Sequence, residues 1–530
     1  MNTIVSLNGT KRIKIIRTEN VSWNRSSVIH FGIIQNLFNM KCKYVILFIV
    51  HLFVGGLVSC KTDFQIDFYS EDVSPLVGEY ADVVIPFNIA PLNFFVSAED
   101  GEEALVFSCE KMKLSAICKE GAVIPELDTW KTMLEKAKGK TIKVEHCVNV
   151  NGGWKAYKSF EIHVAQEEID PYMVYRLIPP GYEMWDEMGI YQRNLENFDE
   201  SVIVDNKNSD YNCMNCHSFC MQDPKKMMFH SRAVNAGTIL LNDGQLSKLE
   251  TKTDQTISSF TYPHWHPNGK FIAYSVNTIK QNFHVNSPNR IEVVDMASDI
   301  VVYDIDKNEV ITSPLLFDKN VFETFPAFSP DGKTLYYCSA EAKNPIPNDF
   351  DEIRYHLCSI SFDPSTRSFG KDVDTLFLAD KIGKSVSFPR ISPDGKRLLI
   401  TLSDYGNFSI WHQEADLWMI NLETKHMECM DVWNSDSVES YHSWSSNSRW
   451  VVFSSRRMDG LYTRPYIAYI GRDNRIGKPF VLPQKRGSFY SLFLNSFNIP
   501  EMVKSKVEVS RRELLDKLFD DKQLKVVPRI

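Results

Sequence analysis

The sequence predicts an all-β chain whose second half is a β-propeller of about six blades, and three observations carry that prediction. A segment recurs four times: SSFTYPHWHPNGKFIAYSVN from Ser258, ETFPAFSPDGKTLYYCSA from Glu323, KSVSFPRISPDGKRLLITLSD from Lys384 and ESYHSWSSNSRWVVFSSRR from Glu439. Its apolar residues alternate with period two rather than 3.6, which argues against a helical solenoid. Equivalent positions at Gly269, Gly332, Gly395 and Ser448 are roughly 50–65 residues apart, the scale of a repeated supersecondary unit.

Each copy opens with a hairpin. Pro-Asn-Gly or Pro-Asp-Gly supplies a tight turn with positive φ, and alternating residues such as Phe271 and Ala273, or Leu335 and Tyr337, continue the strand. A second strand pair follows in DIVVYDIDKNEVITSP, EADLWMINLETKHMECM and IAYIGRDNRIGKPFVLP. Four strands make a blade, and blades arranged radially bury one another's faces. An earlier copy, NCMNCHSFCMQDPKKMMFHSR from Asn212 with AGTILLNDGQLSKL after it, adds a fifth blade. A sixth has to come from flanking chain, Tyr191 to Val204 or Ser488 to Asn498; five or seven blades remain alternatives.

The 530 residues, 43% hydrophobic and 24% charged, are ample for a buried core. A net charge of -8 with no long basic run argues against a nucleic-acid partner. Residues 1–39 read as a mis-assigned upstream extension, because Met40 begins a signal-peptide pattern over 40–59: Lys41 and Lys43, an apolar stretch from Tyr44, then small residues before Cys60. That stretch is interrupted by His51 and is shorter than the roughly 20 residues of a membrane-spanning helix. Residues 60–180 lack the repeat and suggest a β-sandwich-like domain, in which Cys109 and Cys118 flank a hairpin and either pair or stay free. The propeller is assigned to 190–500. Residues 501–530 form a tail with a helix, marked by the Ser510/Glu513 capping box and an apolar face of Leu514, Leu515, Leu518 and Phe519, expected to pack on its own protein.

The SPDGK-type hairpins, the Asp-Leu-Trp strand at Asp416 and the repeat spacing resemble the TolB-like (PD40-type) propeller repeat of bacterial periplasmic proteins over roughly residues 211–485. The resemblance implies fold and an envelope location, not an activity. Leu57-Val58-Ser59-Cys60 likewise resembles a bacterial lipobox, which implies lipidation of Cys60, membrane attachment through the acyl chains, and a place on the periplasmic side or surface of the outer membrane.

One motif carries chemistry. Cys213-Met-Asn-Cys216-His217 matches the C-x-x-C-H attachment site of c-type haem, in which two thiols bond the porphyrin and the histidine ligates iron. His230 is the expected sixth ligand, with Met228 or Met227 as alternatives. A Cys213–Cys216 disulfide, a zinc site recruiting Cys220, and plain packing are the competing readings. His264, His266, His412 and His442 fall at comparable blade positions and form a possible ligand site at the channel, or serve blade packing. Arg456, Arg457 and Asp459 read as a solvated, salt-bridged turn. The leading expectation is an exported, lipid-anchored propeller with one haem c and a redox partner. The alternative is a non-redox binding or scaffold lipoprotein that recognises an envelope protein or glycan. A weaker third is a hydrolase or lyase using channel His and Arg.

Overall fold

In a computed structural model, residues 65–76, 80–95, 102–119, 121–180, 187–344 and 349–529 are described. The export signal and Cys60 lie outside them.

The recurring Ser-Pro-Asp-Gly stretch folds as its side chains dictate. Ser329 Oγ donates to Asp331 Oδ1 (2.5 Å) and accepts the Thr334 N–H (3.0 Å), while Asp331 Oδ1 accepts the Lys333 N–H (3.0 Å). Ser392 and Asp394 repeat these bonds, as do Ser445 and Asn447. Each turn ends on a left-handed residue: Gly269, Gly332, Gly395, and finally Ser448 at φ 62. Gly395 has open space where a Cβ would stand, whereas a Cβ on Gly332 would lie 2.2 Å from His266 Nε2. Gly395→Ala is expected to cost about 1 kcal/mol from backbone strain alone. Gly332→Ala should cost clearly more, because it also displaces His266 from the Gly332 carbonyl (3.0 Å). Equal costs on chemical denaturation would refute that account.

Among the described residues six four-stranded blades follow from these hairpins, two of them extended by tail strands. Numbered along the chain, blades 2 to 6 have their innermost strands at Met214–Cys220, Phe260–Trp265, Val321–Phe328, Ser385–Ile391 and Glu439–Trp444. Blade 1 joins chain from both ends. Tyr172–Ile178, Gly189–Asn194 and Glu200–Asp205 supply three strands, and Ser496–Val503 pairs antiparallel with Tyr172–Ile178 as the innermost. Both segments proposed for closure are therefore used together. The boundary at 180 is corrected, since Tyr172–Ile178 belongs to the propeller, and so is the one at 501, since the closing strand runs to Val503. Apolar clusters fill the spaces between blades, such as Met228, Leu240, Phe260 and Tyr274 between blades 2 and 3.

Residues 65–164 do not form the expected sandwich. One seven-stranded sheet is backed by the helix Leu127–Ala137, which buries Trp130, Met133, Leu134 and Ala137 along one face. That i, i+3, i+4, i+7 spacing is legible in LDTWKTMLEKA. Cys109 and Cys118 are free. They stand at opposite ends of the hairpin Glu103–Cys109/Met112–Ile117, where Cys109 pairs with Met112 while the Cys118 N–H bonds the Glu103 carbonyl (2.7 Å).

This domain is sewn to blade 6. The fourth repeat has Ser446 where Pro330 and Pro393 stand, so an N–H is available there, and it donates to Asp170 Oδ2 (2.7 Å). Trp450 Nε1 and Asn447 Nδ2 donate to the Glu168 carbonyl at 2.9 and 2.7 Å. The tail helix Arg511–Leu518 has its expected capping box and buries Leu514 and Leu518 against blades 1 and 2, with Leu515 partly buried; Phe519, expected on the same face, is exposed. Beyond it, Leu524–Lys525 and Val527–Arg529 add parallel edge strands to blades 2 and 3.

Candidate functional site

Every innermost strand breaks its register at the same place. A β-bulge puts one non-glycine residue in the left-handed region: Cys216, Tyr262, Phe325, Phe388, Tyr441 and Ile499, at φ 54, 47, 52, 51, 49 and 53. In four blades the next residue is proline (Pro263, Pro326, Pro389, Pro500), which suits a bulge because it needs no ladder N–H. The left-handed residues form a collar around the propeller axis. Ring centroids are 4.4 Å apart for Tyr262–Phe325, 4.1 Å for Phe325–Phe388 and 4.9 Å for Phe388–Tyr441.

Above this collar lies a cavity of about 120 Å³, roofed by the hairpin turns. One residue per blade, two after each collar residue, forms the next ring: Ser218, His264, Ala327, Arg390, Ser443 and Glu501; all but Ala327 line the cavity. Trp265 and Trp444, one step further on, brace it by donating to the carbonyls of Ser218 (3.3 Å) and Arg390 (3.0 Å). His264 Nδ1 accepts the Phe328 N–H (3.1 Å), so its proton sits on Nε2, and burial takes its pKa down to about 3. His442 is also neutral, at about 3 through burial, and Nε2 donates to the Leu399 carbonyl (3.0 Å).

The two ionisable members of the ring feel each other's field without forming an ion pair. Glu501 accepts the Phe219 N–H (3.1 Å), and burial pushes its carboxyl up to about 8. Arg390 Nη1 reaches only the Pro389 carbonyl (2.8 Å), and burial lowers its pKa against the opposing field of Glu501. Neither has an ion-pair partner among the described residues. At the rim, Gln222 of blade 2 spans to the Trp444 carbonyl of blade 6 (3.3 Å) and leaves its buried Oε1 without a donor. Sequence reasoning missed Arg390, Glu501 and Gln222; the signal for the first two was the position following each bulge proline.

The C-x-x-C-H residues occupy ordinary positions of this repeat, and they do not fit a haem. Cys213 packs against Ile178 and Met188. Cys216 is a collar residue, and His217 stands where His442 and the four prolines stand. His217 is buried, with backbone groups of Val174 and Ile499 beside its ring but short of hydrogen-bonding geometry; burial takes it to about 3. The two thiols thus face different surroundings, and the adjoining cavity is well below the roughly 300–1,000 Å³ of ordinary ligand pockets, too small for a porphyrin. The expected sixth ligands are corrected too. His230, bonded to Thr238 Oγ1 (3.0 Å), and Met228 face blade 3, whereas His217 faces blade 1; Met227 does pack on the blade-1 side, among Val174, Ile190 and Phe219. The zinc reading finds no support, because no three His, Cys, Asp or Glu side chains gather at metal-holding positions among the described residues. Purified protein made with c-type maturation machinery should therefore give no pyridine-haemochrome band, and its polypeptide mass should carry no porphyrin; a band lost in Cys216→Ser would overturn this.

Of the four histidines expected at the channel, only His264 and His442 line it. His266 sits under the next hairpin turn among Phe271, Phe328 and Phe362. His412 lies on the lower face between Glu292 and Glu414 (3.2 Å each), whose carboxylates raise it to about 9 despite burial.

Among known proteins, no family model and no curated protein matches the chain. The chain is similar at a low level to solved structures. TolB from Acinetobacter baumannii is 13% identical over 68% of this chain and 79% of that one, with a TM-score of 0.38. The periplasmic gluconolactonase of Pseudomonas aeruginosa is 10% identical over 59% of this chain and 97% of that one, with a TM-score of 0.33. The propeller assignment stands on the order of the sheets themselves.

Proposed function

We propose that the protein is an exported, lipid-anchored binding propeller without redox chemistry, which receives a polar group projecting from an envelope protein or glycan in the upper mouth of its channel. The observation that carries this reading is the Arg390 guanidinium and the Glu501 carboxyl, neither in an ion pair, beneath the partnerless Gln222 Oε1. A buried acceptor left without a donor costs stability, and a ligand that donates to it and accepts from the Arg390 guanidinium relieves that cost on binding. The export signal and Cys60 enter from the sequence alone.

The test is a thermal-shift and calorimetric panel of short peptides and cell-wall oligosaccharides. Ligands found this way should lose tenfold or more in affinity in both Arg390→Ala and Glu501→Ala. A ligand indifferent to both substitutions would sink the assignment to this cavity.

A further inference from the structure

The turn SSRRMDGLY holds two arginines with different fates. Arg457 is neutralised by Glu439 at 3.0 Å, as a salt-bridged turn requires. Arg456 is not. Its side chain is 4% exposed, lies 3.4 Å over the Trp411 ring, and donates through Nε to the Ile410 carbonyl (2.9 Å) and through Nη1 to that of Leu461. All of these partners are uncharged. Asp459, in the same turn, accepts the N–H groups of Leu461 and Tyr462 and pairs with Arg464 at 3.8 Å instead. Burial lowers Arg456 to about 9.

This guanidinium lines a groove of about 530 Å³ on the lower face. One wall is the 285–290 tip of the long blade-3 hairpin Phe271–Phe283/Ile291–Asp304, and the other is built from the loops of blades 5 and 6. Arg290 on that tip is exposed and has no carboxylate partner among the described residues. Val438 and Met458 give the groove apolar surface, and two carboxylates share its lining: Asp459, turned to the Leu461 and Tyr462 N–H groups and to Arg464, and the exposed Asp436, which forms no ion pair among the described residues. Two guanidinium groups without a carboxylate partner, Arg456 and Arg290, on one cleft with partly apolar walls are a donor pair for an oxyanion.

We propose that this lower groove is a second ligand site, separate from the axial cavity, which binds a small molecule through an oxyanion held between Arg456 and Arg290. Carboxylate and phosphate share that chemistry. The experiment titrates citrate and inorganic phosphate in parallel by calorimetry, at low and at raised ionic strength. Saturable, salt-sensitive binding is expected, weakened at least tenfold in Arg290→Ala, whose exposed side chain is not needed for folding, and unchanged in Arg390→Ala. Binding of citrate alone assigns a carboxylate ligand, of phosphate alone a phosphate ligand, and of both an oxyanion site at large. No saturable binding of either, or binding that survives Arg290→Ala, overturns the proposal. Loss in Arg390→Ala would move the site to the upper channel and overturn it as well.

Discussion

A chain ending at Asn495 should not give a cooperatively folding protein. Removing 496–530 strips blade 1 of its innermost strand, and with it the buried Phe497, Met502 and Val503, each worth about 1.5–3 kcal/mol. It also exposes the edge of Tyr172–Ile178 to aggregation and opens the ring between blades 1 and 6. A chain ending at Ser510 keeps the closing strand and loses Leu514, Leu518 and two short edge strands, a cost of about 4 kcal/mol for the two leucines. The longer truncation is expected to show no unfolding transition by calorimetry, and the shorter one a cooperative transition at reduced temperature. Equal behaviour of the two would show that Ser496–Val503 does not close the ring.

Glu323→Gln should stabilise the protein strongly at alkaline pH and hardly at all in acid. Glu323 opens the innermost strand of blade 4, is 2% exposed, and has no donor to its Oε2. Burial, helped by Asp299 and Asp318, holds it at about 9, and Asp299 is likewise raised to about 7. Below pH ~4 these groups are protonated in both folded and unfolded chains and cost nothing. Above the ordinary carboxyl range the unfolded chain ionises while the fold holds the proton, so stability drains as pH rises, until about pH 9. At pH 8 the substitution is expected to recover about 3 kcal/mol. The buried histidines His217, His230, His264 and His442, all lowered to about 3, act in the opposite sense, and their contribution is lost as pH falls below their ordinary value of 6.5. Wild-type stability should therefore peak near pH ~6. A melting-temperature difference that does not change with pH would refute the role given to Glu323.

What the sequence disclosed is what local chemistry determines. Ser-Pro-Asp-Gly turns close on their own side chains, so four hairpins were legible from a few residues each. Blade 1 was not, because its pairing joins Tyr172–Ile178 to a strand at the other end of the chain, and no local pattern records a long-range partner. The C-x-x-C-H match misled for a related reason. Aligned as CHSF beside YHSW, Cys216-His217-Ser218 occupies the positions of Tyr441-His442-Ser443, and the aromatic-proline pairs of three blades mark those positions as a bulge. A motif defined by spacing says nothing about which way its side chains point once a strand changes register. Arg390 and Glu501 stayed hidden because their meaning arises only when the blades bring them round one axis.

The union of the first and last propeller strands also sets a timetable. At roughly 5–20 residues per second, on the order of half a minute separates the ribosome's making of Tyr172–Ile178 from its making of Ser496–Val503. Through that interval the edge of Tyr172–Ile178 waits without its partner strand, open to pairing with neighbouring chains until the last blade-1 strand has been made.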